Sequence, residues 1–422
     1  MSNENAIVAL GEGTLLDSES RKLAEAENTV VCLEPDHADL DRNFSNDAKC
    51  MSLCSGNKEK YKQLLIERRS HYLSFENRIA SAFIDCNIDE ENGLSSILIG
   101  KMLQKGIATF INTLFSKSKV YVIYDKNVKC YANSICKDLT NCVGSTKIVA
   151  SEHNKNMKTV EKMLQKINDA NITRNDMLVS IGGGITSDIV GFTASIWKRG
   201  VRWINIPTTL LSMIDASVGG KTGVNFNGAK NMLGAFHKPA IVFIDDNFLD
   251  TLDHEQFIQG YAEAYKHFLI DSNVCRDNAD VVKLLKSIET EDKTVSRCRT
   301  ISRFLNVKLK IVQKDPFDRN GEREKLNLGH TVAHAIETIT NNKISHGAAV
   351  AIGIVEELQL AKKRKILCDD NLLTTVANDL KALGLPTSIP KKYSFDDLLN
   401  LMKKDKKNSN GYIKFVILES MH

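Results

Sequence analysis

The sequence predicts an α/β fold: a mostly parallel sheet domain, then an all-helical domain. Three observations carry this. Four short apolar runs, "VYVIYD" (120–125), "MLVSIGGG" (177–184), "VRWINIPTT" (201–209) and "AIVFID" (240–245), have the length and bounds of buried strands. A helical pattern, "MKTVEKMLQKIN", separates the first two, and strand alternating with helix is how a parallel sheet is connected. After about residue 250 the strand runs stop and amphipathic helices follow.

In chain order, residues 1–93 read as an N-terminal extension, partly disordered, polar and acidic, with two weakly helical pieces. The stronger of these is "KYKQLLIERRSHYLSFENRIASAF". The first 43 residues hold ten acidic and three basic side chains and no long apolar run, which argues against a transit or secretion peptide. Residues 94–254 take the sheet. Residues 255–422 take the helices, in "HEQFIQGYAEAYKHFLI", "VSRCRTISRFLNVKLKIV", "HGAAVAIGIVEELQLAKK" and "NLLTTVANDLKALG", with one late strand expected in "YIKFVIL".

The bulk numbers agree with two domains. A chain of 422 residues exceeds the roughly 250 to 300 at which single cores stop growing. With 56 basic against 52 acidic side chains the net charge is +4, so composition gives no reason to expect a nucleic-acid partner. The apolar runs "YVIY" and "AAVAIGIV" fall far short of the roughly 20 residues of a membrane span. Ten cysteines occur without paired CxxC spacing, "CMSLC" standing alone, which suits reduced thiols in a cytoplasmic protein.

Several stretches have the makings of chemistry. "SIGGGITSD" ends a strand with three glycines and opens a helix, an arrangement that can receive a pyrophosphate on free backbone N–H groups. It also reads as a plain tight turn. Asp125 and Asn127 follow the end of "VYVIYD", where a carboxylate can bond a ribose hydroxyl. In "IPTTLLSMIDASVGGKTGVNFNGAKNMLGAF", Asp215, Lys221, Lys230 and Asn231 sit among small residues, as in a loop that lets backbone approach an anion. Glu263 and Lys266 lie three apart among Tyr261, Ala262, Ala264, Phe268 and Leu269, a pair either on the surface or buried against other partners. His330 and His334 share a helical face with Asn327, and His346 opens a later helix. Two histidines and a glutamate from separate helices make an open zinc site, but spacing alone leaves open which two histidines bind.

Together these segments resemble the 3-dehydroquinate synthase family of sugar phosphate cyclases, over about 97–418. The resemblance rests on "GGGITSDIVGF", "KRGVRWINIPTTLLSMIDASVGGKTGVN", "GAKNMLGAF", "GYAEAYKHFLI", "LNLGHTVAHAIE", "HGAAVAIG" and "DKKNSNGYIKFVIL". It implies a Rossmann-like NAD-binding α/β domain and a helical domain that binds zinc, or cobalt, and the substrate. The family turns a seven-carbon phosphorylated keto acid into a carbocycle by oxidation, phosphate elimination, reduction, ring opening and aldol closure, regenerating its NAD.

Carried over position by position, the metal ligands would be Glu263, His330 and His346. Catalysis would fall to Lys221, Lys266, His334, Asn327 and Asp215. The substrate would meet Arg199, Lys221, Asn231, Lys308, Arg323 and a lysine of "DKK", Lys406 or Lys407. NAD would meet Asp125, Asn127, Glu152, Lys155, Gly183, Gly184, Asp188, Thr208, Thr209, Asp215, Lys230, Phe248 and Thr251. Arg199 looks like the arginine a neighbouring subunit contributes, which implies a homodimer. A substrate with both carboxylate and phosphate needs several cations, and these lysines and arginines supply them.

Three positions depart from the family pattern: Ser187 and Ala333 replace glycines, and Ala348 replaces the glutamate of "HGEA". Arg323 and Asn327, which the resemblance places at the substrate carboxylate, favour a 3-dehydroquinate synthase over cyclases of sedoheptulose 7-phosphate or glucose 6-phosphate. A polyol dehydrogenase of the same architecture and an inactive interaction protein are the remaining alternatives.

Overall fold

The structure, a computed structural model, describes residues 32–34, 78–80, 83–85, 96–101, 103–275, 280–290, 297–369, 371–403 and 413–418. The expected extension therefore lies outside the described residues apart from three short strands, as do Lys406 and Lys407.

The strands are β1 (Cys32–Glu34), β2 (Arg78–Ala80), β3 (Phe83–Asp85), β4 (Ser96–Gly100), β5 (Val120–Asp125), β6 (Cys142–Ile148), β7 (Met177–Gly182), β8 (Arg202–Pro207), β9 (Lys221–Phe226), β10 (Ala229–Phe236) and β11 (Ile241–Asp245). Seven form one sheet in the order β3-β4-β11-β8-β7-β5-β6, parallel throughout except where β3 meets β4. The helices of this half are α1 (Gln104–Leu114), α2 (Lys129–Asp138), α3 (Met157–Asp169) and α4 (Gly184–Ile196). β5 and β7 are buried along their whole length because helices cover both faces of the sheet. Successive residues of β5 accordingly join different cores: Val120, Val122 and Tyr124 the larger, Tyr121 and Ile123 the smaller.

α3 shows why such a segment is helical. Asn156 caps it by accepting the N–H of Thr159 at 3.1 Å, Val160, Met163 and Ile167 form its buried stripe, and Asn171 at φ +53 ends the run.

From residue 254 onward the described elements are helical: α5 (His254–Ile270), α6 (Val281–Thr290), α7 (Arg297–Lys314), α8 (His330–Ile339), α9 (His346–Lys363), α10 (Leu372–Ala382) and α11 (Phe395–Met402). The larger core runs on from the sheet into α5, α7, α8 and α9. α5 buries apolar residues on nearly every side, which takes Glu263, Lys266 and His267 out of water with them.

Four expectations need correction. The glycine-rich stretch after Asp215 is not a plain loop: β9 and β10 pair as an antiparallel hairpin, turning at Asn227 and Gly228 with φ +49 and +76. That Asn-Gly pair is a strong hairpin signal. "YIKFVIL" forms no strand over 413–418; this stretch lies against α8, where the Thr331 hydroxyl donates to the Lys414 carbonyl at 2.9 Å. The end of the helical pattern over 60–83 is strand instead, at Arg78–Ala80. β4 and β6 extend the sheet beyond the four strands expected.

Candidate active site

In an open parallel sheet a ligand crevice lies beyond the carboxyl ends of the strands, where their order reverses. Here the chain leaves β5 outward to β6 and returns on the other side at β7, so the crevice falls between Asp125 and Gly183. Asp125 is held ready: one oxygen accepts the N–H of Asn127 at 2.7 Å and the other that of Ala150 at 3.3 Å. Gly183 caps α4 with no side chain on the helix N–H groups. A Cβ there would lie 3.1 Å from the Thr209 methyl, and one on Gly184 would lie 3.1 Å from Ala216. The backbone is thus bare where a pyrophosphate would meet the helix N-terminus. Lys155 reaches from the preceding loop to Asp188 in α4 at 2.5 Å, and Glu152 accepts from Asn225 at 2.8 Å. Phe248 is buried edge-on against Tyr131, whose hydroxyl lies 3.4 Å from that of Thr251. Thr208 returns its N–H to the Gly182 carbonyl at 3.0 Å.

Deeper toward the helices, one donor atom each of Glu263, His330 and His346 comes within 4.8 Å of the others. Three elements supply them: α5 carries Glu263, and His330 and His346 are the first residues of α8 and α9. Oε1 of Glu263 lies 3.3 Å from Nε2 of His330 and 3.2 Å from Nε2 of His346. Both rings are anchored by the other nitrogen. Nδ1 of His330 lies 3.0 Å from the Leu328 carbonyl, and Nδ1 of His346 lies 3.1 Å from Glu337. Such partners fix each ring's orientation and aim its Nε2 at the meeting point.

The electrostatics fit a cation at that point. Burial drives the His330 imidazole down to about 4, its neighbour Glu263 only partly opposing this, so the ring is neutral and able to ligate. Burial also opposes a charge on His346, yet hydrogen bonds to Glu263 and Glu337 overcome it and push that ring up to about 10. The pocket demands positive charge where the three donors converge. Two nitrogens and a carboxylate oxygen suit zinc or cobalt, with positions left for substrate oxygens.

Beside this lies a buried charge cluster. Lys266 pairs with Glu263 and donates to the Leu326 carbonyl at 2.9 Å. Asp215 takes Lys308 at 3.0 Å, lies 4.0 Å from Lys266, and lies 3.3 Å from Nε2 of His267. Burial works to raise the Asp215 carboxyl, but Lys308 and Lys266 hold it well below the usual range. The Arg323 guanidinium donates to the Gly219 carbonyl at 3.1 Å, and Gly219, at φ +98, leaves no room for a Cβ, which would lie 2.6 Å from that guanidinium.

Other expected residues stand apart. Lys221 is half exposed and pairs with Asp318. Lys230, expected at the cofactor, lies 3.1 Å from Glu337 and so joins the surroundings of His346. Asn231, at φ +50, donates its N–H to Asn225. His334 stacks edge-on against His330, ring centroids 5.7 Å apart, while Asn327 closes the turn before α8. Arg199 is exposed at the far end of α4, at φ +66. Two of the three departures from the family pattern are accommodated: Ser187 returns its hydroxyl to the Gly184 carbonyl at 2.9 Å, and Ala333 is fully buried. Sequence reasoning missed His267, Asp318 and Glu337. Glu337 and His267 lie inside the quoted "HTVAHAIE" and "GYAEAYKHFLI", where each is one polar side chain among apolar neighbours.

Sequence models of the 3-dehydroquinate synthase N-terminal and C-terminal regions match residues 145–259 and 260–408. A 3-dehydroquinate synthase of Parabacteroides distasonis is 37% identical over 332 residues, 77% of this chain and 91% of the relative. One of Clostridium tetani is 38% identical over 312 residues, 73% of this chain and 79% of the relative. Among solved structures, a 2-epi-5-epi-valiolone synthase from Streptomyces hygroscopicus with NAD+ and Zn2+ bound superimposes with a TM-score of 0.67 at 25% identity, covering 77% of this chain and 90% of that one. A 2-deoxy-scyllo-inosose synthase complexed with carbaglucose-6-phosphate, NAD+ and Co2+ shares the fold, with a TM-score of 0.68 at 22% identity, covering 81% of this chain and 92% of that one.

Proposed function

This chain belongs to the 3-dehydroquinate synthase family, and from that premise we propose that it converts 3-deoxy-D-arabino-heptulosonate 7-phosphate to 3-dehydroquinate and phosphate, the cyclisation step of aromatic amino acid biosynthesis. The observation that carries the reading is the convergence of Glu263, His330 and His346 next to the buried cations Lys266, Lys308 and Arg323. The first three residues would hold zinc or cobalt; Asp125, Asn127, Gly183, Gly184 and their neighbours would hold NAD. When bound, NAD supplies a reversible hydride acceptor and the metal a Lewis acid for adjacent substrate hydroxyls.

The chain's own residues do the rest. Lys266 pairs with the metal ligand Glu263, Lys308 joins it through Asp215, and with Arg323 they would neutralise a substrate carboxylate and orient the ring by fixed contacts. The Asp215 carboxylate holds two of these ammonium groups in place before substrate arrives. His334, whose ring lies edge-on against that of His330, would pass a proton to the departing phosphate. Burial of this cluster keeps water from competing for those charges.

Arg199 supports a homodimer. α4 runs 13 residues from the crevice at Gly184 to Ile196, about 20 Å at the α-helical rise, so Arg199 lies toward the amino ends of the strands, away from its own crevice. Such an arginine serves a phosphate pocket only from a partner. We place the NAD-binding domain at residues 94–254 and the metal and substrate domain at 255–422, in a cytoplasmic protein. The free cysteines among the described residues suit a reducing compartment, and no described helix is long and apolar enough to cross a membrane.

The test is phosphate release by purified protein given the carboxylated heptulosonate phosphate, sedoheptulose 7-phosphate or glucose 6-phosphate. Release from the first without steady-state NADH accumulation supports the reading. Release only from a sugar lacking the carboxylate assigns a different cyclase, and net NADH formation assigns a dehydrogenase.

A further inference from the structure

We propose that Glu357 is a positioning residue for the metal ligand His330, fixing the start of α8 upon α9. This rests on the metal-site reading above. Glu357 is 1% exposed and lies on α9, three turns beyond His346. Its Oε2 accepts the backbone N–H of Gly329 at 2.8 Å, and the N–H of Thr331 also faces its carboxyl. Gly329 is the N-cap of α8, at φ +77, with no side-chain cap of its own. The first N–H groups of a helix have no partner within it, and here a carboxyl from another helix supplies one.

Around this contact the two helix backbones pack closely. A Cβ on Gly353, one turn before Glu357, would lie 2.0 Å from the Gly329 carbonyl oxygen, and one on Gly329 would lie 2.8 Å from the Val350 carbonyl. The two backbones touch at glycine on both sides, and the Glu357 carboxyl closes the gap beyond. His330 follows Gly329 directly, and its Nδ1 is bonded to Leu328 on the other side. Leu328, Gly329 and His330 therefore set where Nε2 points, and Glu357 holds the middle residue of the three. Among the described residues its Oε1 has no hydrogen bond of ordinary geometry, so the Gly329 N–H is the closest partner of this buried acid.

The experiment is cobalt titration of the full-length chain after chelator stripping, following the d–d absorption of the bound ion and the affinity by zinc competition. Wild type, Glu357→Gln, Glu357→Asp and Glu357→Leu are compared, with folding checked by circular dichroism. Gln keeps an acceptor for Gly329, Asp falls one methylene short and Leu has none. The expected result is wild-type affinity and spectrum for Gln, and for Asp and Leu an altered spectrum with affinity weaker by about 10- to 100-fold. Folded Asp and Leu variants that bind cobalt like wild type overturn the proposal, as does a Gln variant as impaired as Leu. Should Leu fail to fold, Asp alone decides between the same outcomes. Wild type that binds no cobalt, or binds it equally after His330→Ala, strikes the metal site itself, a different and recognisable failure that takes this inference with it.

Discussion

Oε1 of Glu337 stands 3.1 Å from Nδ1 of His346 and 3.1 Å from Nζ of Lys230. Burial tends to raise this carboxyl, but His346 and Lys230 hold it at about 2, so it remains a carboxylate under any working condition. Removing it leaves His346 free to turn. Glu337→Ala is expected to weaken metal affinity by about 10- to 100-fold, with Glu337→Gln at the mild end because it keeps an acceptor. Chelator competition measures this; unchanged affinity in both variants would show that His346 needs no anchor.

Asp215 and Lys308 form a pair whose partners depend on each other. Asp215→Asn leaves Lys308 buried without its carboxylate, a loss of about 3–5 kcal/mol in unfolding free energy by denaturant titration. Adding Lys308→Met should restore part of that stability, since the stranded charge is gone. A double variant no more stable than the single one contradicts the pairing.

Glu357 gives the protein a pH dependence of stability. Burial raises its carboxyl from 4.5 to about 8, against the N–H groups of Gly329 and Thr331. A folded-state value above the unfolded one means a contribution fully present below pH 4.5 and lost as pH rises through about 8. Wild type should therefore lose on the order of 5 kcal/mol relative to Glu357→Gln across that window. Denaturant midpoints at several pH values check it; parallel curves for the two proteins would contradict it.

The position of Arg199 predicts complementation between subunits. Arg199→Glu and His334→Ala variants, each nearly inactive alone, should regain activity when unfolded and refolded together, because a mixed dimer holds one intact site. No recovery from a mixture shown to contain mixed dimers argues that Arg199 does not act across subunits.

Legibility followed burial. β5, β7, β8 and β11 stood out because strands covered on both faces become nearly unbroken apolar runs. β6 stayed hidden because it is an edge strand whose "CVGSTKI" is only half covered. The hairpin of β9 and β10 was read as a loop since its glycines, Gly223 and Gly234, mark close backbone pairing rather than flexibility: a Cβ on either would lie within 2.6 Å of the opposite strand's carbonyl oxygens. α5 and α9 were readable to the residue. In the site, histidine spacing pointed to a metal without choosing ligands, and family resemblance made the choice. Glu337 and His267 escaped because one polar residue in an apolar helix looks like any other until its neighbours from distant helices are known.

In the proposed metal centre one donor comes from each of α5, α8 and α9, and the two histidines of α8 divide their work. The direct measurement is metal content and affinity of His330→Ala and His334→Ala beside wild type. His330→Ala should lose the metal, whereas His334→Ala should keep it and turn over slowly. Equal loss of metal from both variants, or retention by His330→Ala, would contradict it.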